Sequence, residues 1–208
     1  MRLKMAILCC LSLHAAARAQ VVVDTFGPGG SFSTTWVYNY GGGQTAPSHL
    51  GFGFNAQASG PLTDITAPIF RSGLGSLMFE LYADSPAVPG TPGALLFSTV
   101  FPAPAIGAPL VATTLTLAAG PQVTAGVNYY AVFTPQSASA QVQWFLGGNP
   151  AGAPIGPEVY RFPGGQWITE PQAYAAFRLS VPSPGVSAPL IAAGGWAGCR
   201  RRRASNRS

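Results

Sequence analysis

Between residues 20 and 181 the chain runs as short apolar or alternating stretches, each closed by a cluster of Gly and Pro. The stretches are 20–26, 50–56, 62–70, 76–83, 95–101, 111–117, 128–134, 141–146, 158–161 and 173–181. Alternation is clearest where Leu77, Phe79 and Leu81 oppose Met78, Glu80 and Tyr82, and where Phe177, Leu179 and Val181 share a face. None of the intervening segments repeats its apolar positions at helical spacing. Ten short strands separated by turn signals predict an all-β domain, an antiparallel β-sandwich or jelly roll. Gly41-Gly42-Gly43, Gly164-Gly165 and the segment 86–93 read as loops. With no repeat at a fixed period, solenoids and propellers are not expected.

Composition narrows this further. With 26 Gly and 20 Pro in 208 residues, a mainly helical chain is excluded, because both residues are poor in helix interiors. A hydrophobic content of 48% excludes wholesale disorder. The length fits one domain with short appendages.

The net charge of +5 would suggest nucleic acid if it lay on the domain. It does not. Arg2, Lys4 and Arg18 precede the strand-like region, and Arg200, Arg201, Arg202, Arg203 and Arg207 follow it. The body holds only Arg71, Arg161 and Arg178 against Asp24, Asp64, Glu80, Asp84, Glu158 and Glu170, a net −3. A phosphate-binding face needs clustered Lys and Arg on the folded part, so no nucleic-acid partner is expected.

Residues 1–19 have the three parts of a secretory signal peptide: a basic start, an apolar run over 5–13, and the small-x-small triplet Ala17-Arg18-Ala19. Cleavage between Ala19 and Gln20 is expected, with the export machinery as partner. At the other end the apolar run 186–199 meets Arg200, Arg201, Arg202 and Arg203, which would retain that end on the cytoplasmic side. As a helix it spans about 21 Å, short of the ~30 Å hydrocarbon core, so it suits a transient anchor better than a permanent one. Two of the three cysteines, Cys9 and Cys10, fall in the signal and Cys199 in the tail. The body therefore has neither a disulfide nor a thiol nucleophile nor a cysteine zinc site.

Val181-Pro182-Ser183-Pro184-Gly185, the apolar run and the Arg cluster together resemble the PEP-CTERM class of sorting signals. The common form has Pro-Glu-Pro where this chain has Pro182-Ser183-Pro184. The resemblance implies a sorting signal over 181–208, cut near the proline motif by an exosortase-type processing enzyme. The body, 20–180, resembles the choice-of-anchor domains of bacterial surface proteins, closest to type R. The motifs are Thr25-Phe26-Gly27-Pro28-Gly29-Gly30-Ser31-Phe32, Gly60-Pro61-Leu62-Thr63-Asp64-Ile65, Leu81-Tyr82-Ala83-Asp84-Ser85, Gly90-Thr91-Pro92-Gly93-Ala94-Leu95-Leu96, Thr124-Ala125-Gly126-Val127-Asn128-Tyr129-Tyr130 and Ala175-Ala176-Phe177-Arg178-Leu179. It implies an extracellular β-sandwich joined to an anchoring tail, with no established catalytic residues.

Candidate chemistry in the body is sparse. His49 is its only histidine, which rules out a two-histidine metal site and makes it the base of any Ser-His-Asp system. Glu80, partnered by Glu158 or Glu170, would be the carboxylate pair of a glycoside hydrolase. Asp64 and Asp84 lie beside turn residues and suit turn hydrogen bonds better than calcium, because there is no Asp-x-Asp cluster. Trp36, Tyr38 and Tyr40 alternate and so share one face of an extended segment. With Trp144 and Trp167 they could stack on an extracellular polysaccharide, although a core-facing strand shows the same alternation. The leading expectation is an exported, non-catalytic surface or matrix module without cofactor or metal. The alternatives are a carbohydrate-binding module and a glycoside hydrolase-like enzyme.

Overall fold

A computed structural model of the chain describes residues 19–41, 48–137, 139–147, 155–170 and 175–183, apart from the side chains of Trp36 and Val37. Residues 1–18 of the predicted signal 1–19 lie outside them, as do Pro184, Gly185, the apolar run and Arg200, Arg201, Arg202 and Arg203. Ala19–Pro182 form one compact unit.

In chain order the strands of the described residues are β1 (Gln20–Asp24), β2 (Phe32–Gly41), β3 (His49–Asn55), β4 (Gly60–Pro61), β5 (Asp64–Ala67), β6 (Ile69–Ser72), β7 (Leu77–Asp84) and β8 (Pro92–Phe101). They continue as β9 (Thr113–Thr116), β10 (Gln122–Val123), β11 (Asn128–Pro135), β12 (Gln141–Gly147), β13 (Ile155–Arg161), β14 (Trp167–Glu170) and β15 (Arg178–Val181). The domain is an all-β sandwich. A six-stranded sheet, β14-β13-β3-β11-β7-β8, makes one layer. Opposite it lie a four-stranded sheet, β1-β15-β5-β9, and a three-stranded sheet, β2-β12-β6. All these ladders are antiparallel.

The core follows from period-2 alternation. Leu50, Phe52 and Phe54 of β3, Ala131 and Phe133 of β11, and Phe79 and Leu81 of β7 are buried. They meet Trp144 of β12, whose ring lies 4.9 Å from Phe52, 4.8 Å from Phe133 and 6.0 Å from Phe177. The Trp144 indole N–H donates to the Ala176 carbonyl at 2.9 Å, so its polar atom is satisfied inside the core. Thr25, fully buried, joins the chain's two ends: its hydroxyl accepts the Phe177 N–H at 2.6 Å and donates to the Ala175 carbonyl at 2.6 Å.

The expected run 62–70 is two strands, β5 and β6, in different sheets, because Pro68 cannot donate to a ladder and breaks the run. Four strands, β2, β4, β10 and β14, lie outside the runs read from sequence, β2 being visible there only as the alternation of Trp36, Tyr38 and Tyr40.

Candidate functional site

The residues of β3 that point away from the core are His49, Gly51, Gly53 and Asn55. Beside them on the outer face of the six-stranded sheet stand Asn128, Tyr130, Val132 and Thr134 of β11, Glu80, Tyr82 and Asp84 of β7, and Val159 and Arg161 of β13, as the registers require. Tyr82, Tyr130, Val132 and Val159 form a second buried cluster, with Trp167 of β14 packed on it.

This face is concave. The rings of Tyr82 and Trp167 meet at 5.6 Å although β11, β3 and β13 separate their strands. Only a sheet curled toward this side brings them together. Glycine on the central strand permits the curl: a Cβ on Gly51 would lie 2.5 Å from the Ala131 carbonyl oxygen and 2.6 Å from Val132 Cγ2. Such distances cannot be relieved by moving a flexible side-chain tip.

The polar groups of the trough are largely paired with one another. Glu80 accepts from the Tyr82 hydroxyl at 3.0 Å and the Thr134 hydroxyl at 2.9 Å. Asp84 accepts from the Tyr130 hydroxyl at 3.2 Å and the Gly90 N–H at 3.1 Å. Burial, reinforced by the carboxylate each phenol faces, pushes Tyr82 and Tyr130 well above the ordinary tyrosine range. The segment between β7 and β8 reaches across the trough, where Thr169 donates to the Gly90 carbonyl at 3.3 Å.

At one end of the face, Arg161 Nη2 lies 2.7 Å from His49 Nε2 and Ser48 Oγ 2.8 Å from Nδ1. Arginine can only donate, so Nε2 accepts and the imidazole proton sits on Nδ1, directed at Ser48. Burial, then the Arg161 charge, lowers the His49 pKa to about 4. A histidine held this way cannot take the Ser48 proton, and a cation stands where a triad would place a carboxylate. Arg161 also stacks over Trp167, 4.8 Å from the ring centre. The Ser48–His49–Arg161 contact was not foreseen from sequence, since its partners come from distant strands.

A cavity of about 260 Å³ opens beside the trough, lined by Gly53, Asn55, Gly90, Asn128, Tyr130, Ile155, Gly156 and Pro157 together with Phe54 and Tyr129. Asn55 Nδ2 donates to Asn128 Oδ1 and to the Gly126 carbonyl, both at 2.9 Å, fixing the two carboxamides at its rim.

The proposed aromatic platform is not assembled. Tyr38, Tyr40 and Trp144 do share a face, through the pairs Tyr38↔Trp144 and Tyr40↔Val142, but it is the core face. Tyr40 is 3% exposed and Trp144 is fully buried. Tyr38 packs on Phe52 at 5.5 Å and donates to Glu158 at 3.0 Å. Burial pushes the Tyr38 hydroxyl well above the ordinary range, and the Glu158 charge adds to the shift. The Trp36 side chain lies outside the described residues, and Trp167 belongs to the opposite layer's outer face.

The carboxylate pair is not assembled either. Glu80 pairs with Val132 and so shares the outer face, whereas Glu158 pairs with Phe52 and Glu170 with Glu158, placing both toward the other face. A sheet separates them, with no cleft between. Asp64 accepts from Thr116 at 2.8 Å, and Asp84 holds the turn at Gly90. Among the described residues no three His, Cys, Asp or Glu side chains are grouped to hold a metal.

No protein-family model matches the chain, and neither a curated protein nor a solved structure is significantly similar to it. The two family resemblances therefore rest on the motifs quoted above.

Proposed function

We propose that the protein is a non-catalytic module of the cell surface or extracellular matrix, exported through its N-terminal signal and sorted by its C-terminal tail. One observation carries this reading. Gln20, the first residue after the expected cleavage, pairs with Val181, the first residue of the proline motif, at the open end of the β1–β15 ladder. The first and last strands of the body therefore end side by side, and Val181, the first residue of the expected sorting signal, is itself the buried last residue of β15. An exosortase-type enzyme cutting after Val181 and a signal peptidase cutting after Ala19 would leave every strand intact. The charge partition agrees, because removing the basic ends leaves a body with few charges, of net −3.

The test is fractionation of the host followed by mass spectrometry of both ends of the protein. A chain in the envelope or medium, beginning at Gln20 and lacking Arg200–Arg203, is the expected result. A cytosolic chain that retains residues 1–19 would overturn the reading.

A further inference from the structure

We propose that the cavity beside the trough is a binding site for a single uncharged sugar ring. The inference rests on the reading of the body as an interaction module and supplies the ligand class that reading leaves open.

The site is built from four segments. Gly53 of β3 and Gly156 of β13 form the floor, where the two backbones lie so close that a Cβ on Gly156 would sit 3.0 Å from the Gly53 backbone. A Cβ on Gly53 would come to 3.0 Å from the Tyr130 ring and 3.2 Å from the Pro157 ring. Ile155 and Pro157 supply apolar walls, backed by the buried Tyr130, and Gly90 closes one side. Gly90 is tied down at its N–H by Asp84 and at its carbonyl by Thr169. Asn55 and Asn128 stand at the mouth.

The chemistry of this lining selects among ligands. No side chain lining the cavity is ionised at neutral pH, so neither an anion nor a cation would find a counter-charge to offset its lost hydration. A purely apolar ligand would bury the rim carboxamides without partners. The bond from Asn55 Nδ2 to Asn128 Oδ1 uses one end of each amide and leaves Asn55 Oδ1 and both Asn128 Nδ2 hydrogens without a partner among the described residues. One acceptor and one double donor are thus held side by side in fixed orientation. Neighbouring hydroxyls of a sugar ring, each able to donate and accept, match this pair. The ring's C–H face matches the half-buried Ile155 and Pro157. A volume of about 260 Å³ is below the ~300–1,000 Å³ usual for enclosing a larger ligand. It takes one ring, and the open mouth would let a chain continue outward.

The full chain is titrated with the methyl glycosides of glucose, galactose and mannose and with N-acetylglucosamine, followed by NMR shifts and calorimetry. At least one should bind with a dissociation constant on the order of 1 mM, as expected for a single ring in an open cavity. Asn128→Ala, at an exposed rim position, should weaken it about tenfold, the equivalent of one lost hydrogen bond. Asn128→Asp keeps the acceptor that Asn55 uses but removes the donor, and should weaken binding similarly while leaving the thermal midpoint unchanged. Ile155→Trp, which fills the cavity from its wall, should abolish binding. If none of the four sugars binds, or if binding survives both Asn128 variants, the proposal is overturned. A surface-located protein that binds no sugar defeats the site alone. A cytosolic protein that binds one defeats the export reading alone.

Discussion

The rings of Tyr82 and Trp167 meet in a T-shaped contact at 5.6 Å and 75°, across three intervening strands. Trp167 is also in edge contact with His49 at 5.8 Å and lies under Arg161. One half-buried ring thus holds β14 against the trough and shields the imidazole. Trp167→Ala should lower stability by about 2–3 kcal/mol in urea unfolding, less than the full cost of a completely buried aromatic. In the same variant the His49 pKa should rise from about 4 toward its ordinary value, read from ring-proton shifts. Because the folded-state pKa lies below the unfolded one, the His49 contribution to stability should be complete above about pH 6.5. It should fall as the pH drops from there toward 4. Partial exposure limits the loss to about 1–2 kcal/mol.

Tyr40 offers a test of the inward-facing aromatic row. Its hydroxyl is buried with no hydrogen-bond partner among the described residues, and burial alone pushes its pKa well above the usual range. Tyr40→Phe should raise stability by about 1 kcal/mol, because an unsatisfied buried hydroxyl is removed. A solvent-facing platform would show no such gain.

Glu158 should report on the charge held near the core. It is only 9% exposed, and burial raises its pKa, with Glu170 adding to the rise and the Tyr38 hydrogen bond opposing it. A carboxyl whose folded-state pKa is raised stabilises least when ionised, so its contribution is lost as pH rises through that pKa. Glu158→Gln keeps an acceptor for Tyr38. It should match wild type near pH 3.5 and exceed it at pH 7 by up to about 1 kcal/mol, measured as denaturant midpoints at both values.

The end of the folded body can be located by truncation. Val181 is fully buried and pairs with Gln20. A chain ending at Pro182 should unfold like the longer protein. One ending at Ser180 should lose about 1.5–3 kcal/mol, the burial of one valine side chain. Thermal melts of the two fragments, each starting at Gln20, separate these outcomes.

The sequence by itself determined the strand class and most strand positions, because a two-residue apolar period survives any arrangement of the sheets. Leu77, Phe79 and Leu81 were readable as one buried face for that reason, and Pro68 marked where a run must break. The division of charge between ends and body needed no structure either. Only the tertiary structure decided which face of each strand looks inward. Alternation places Tyr38 and Tyr40 together but is the same whether they meet solvent or Phe52, and the packing of β2 against β3 settles it. Four-residue β14, Trp167–Glu170, has too few positions to show a period. The cavity and the Ser48–His49–Arg161 contact join residues more than a hundred positions apart in the chain. No local pattern encodes such meetings, because they arise from how the curled sheet brings its strands together.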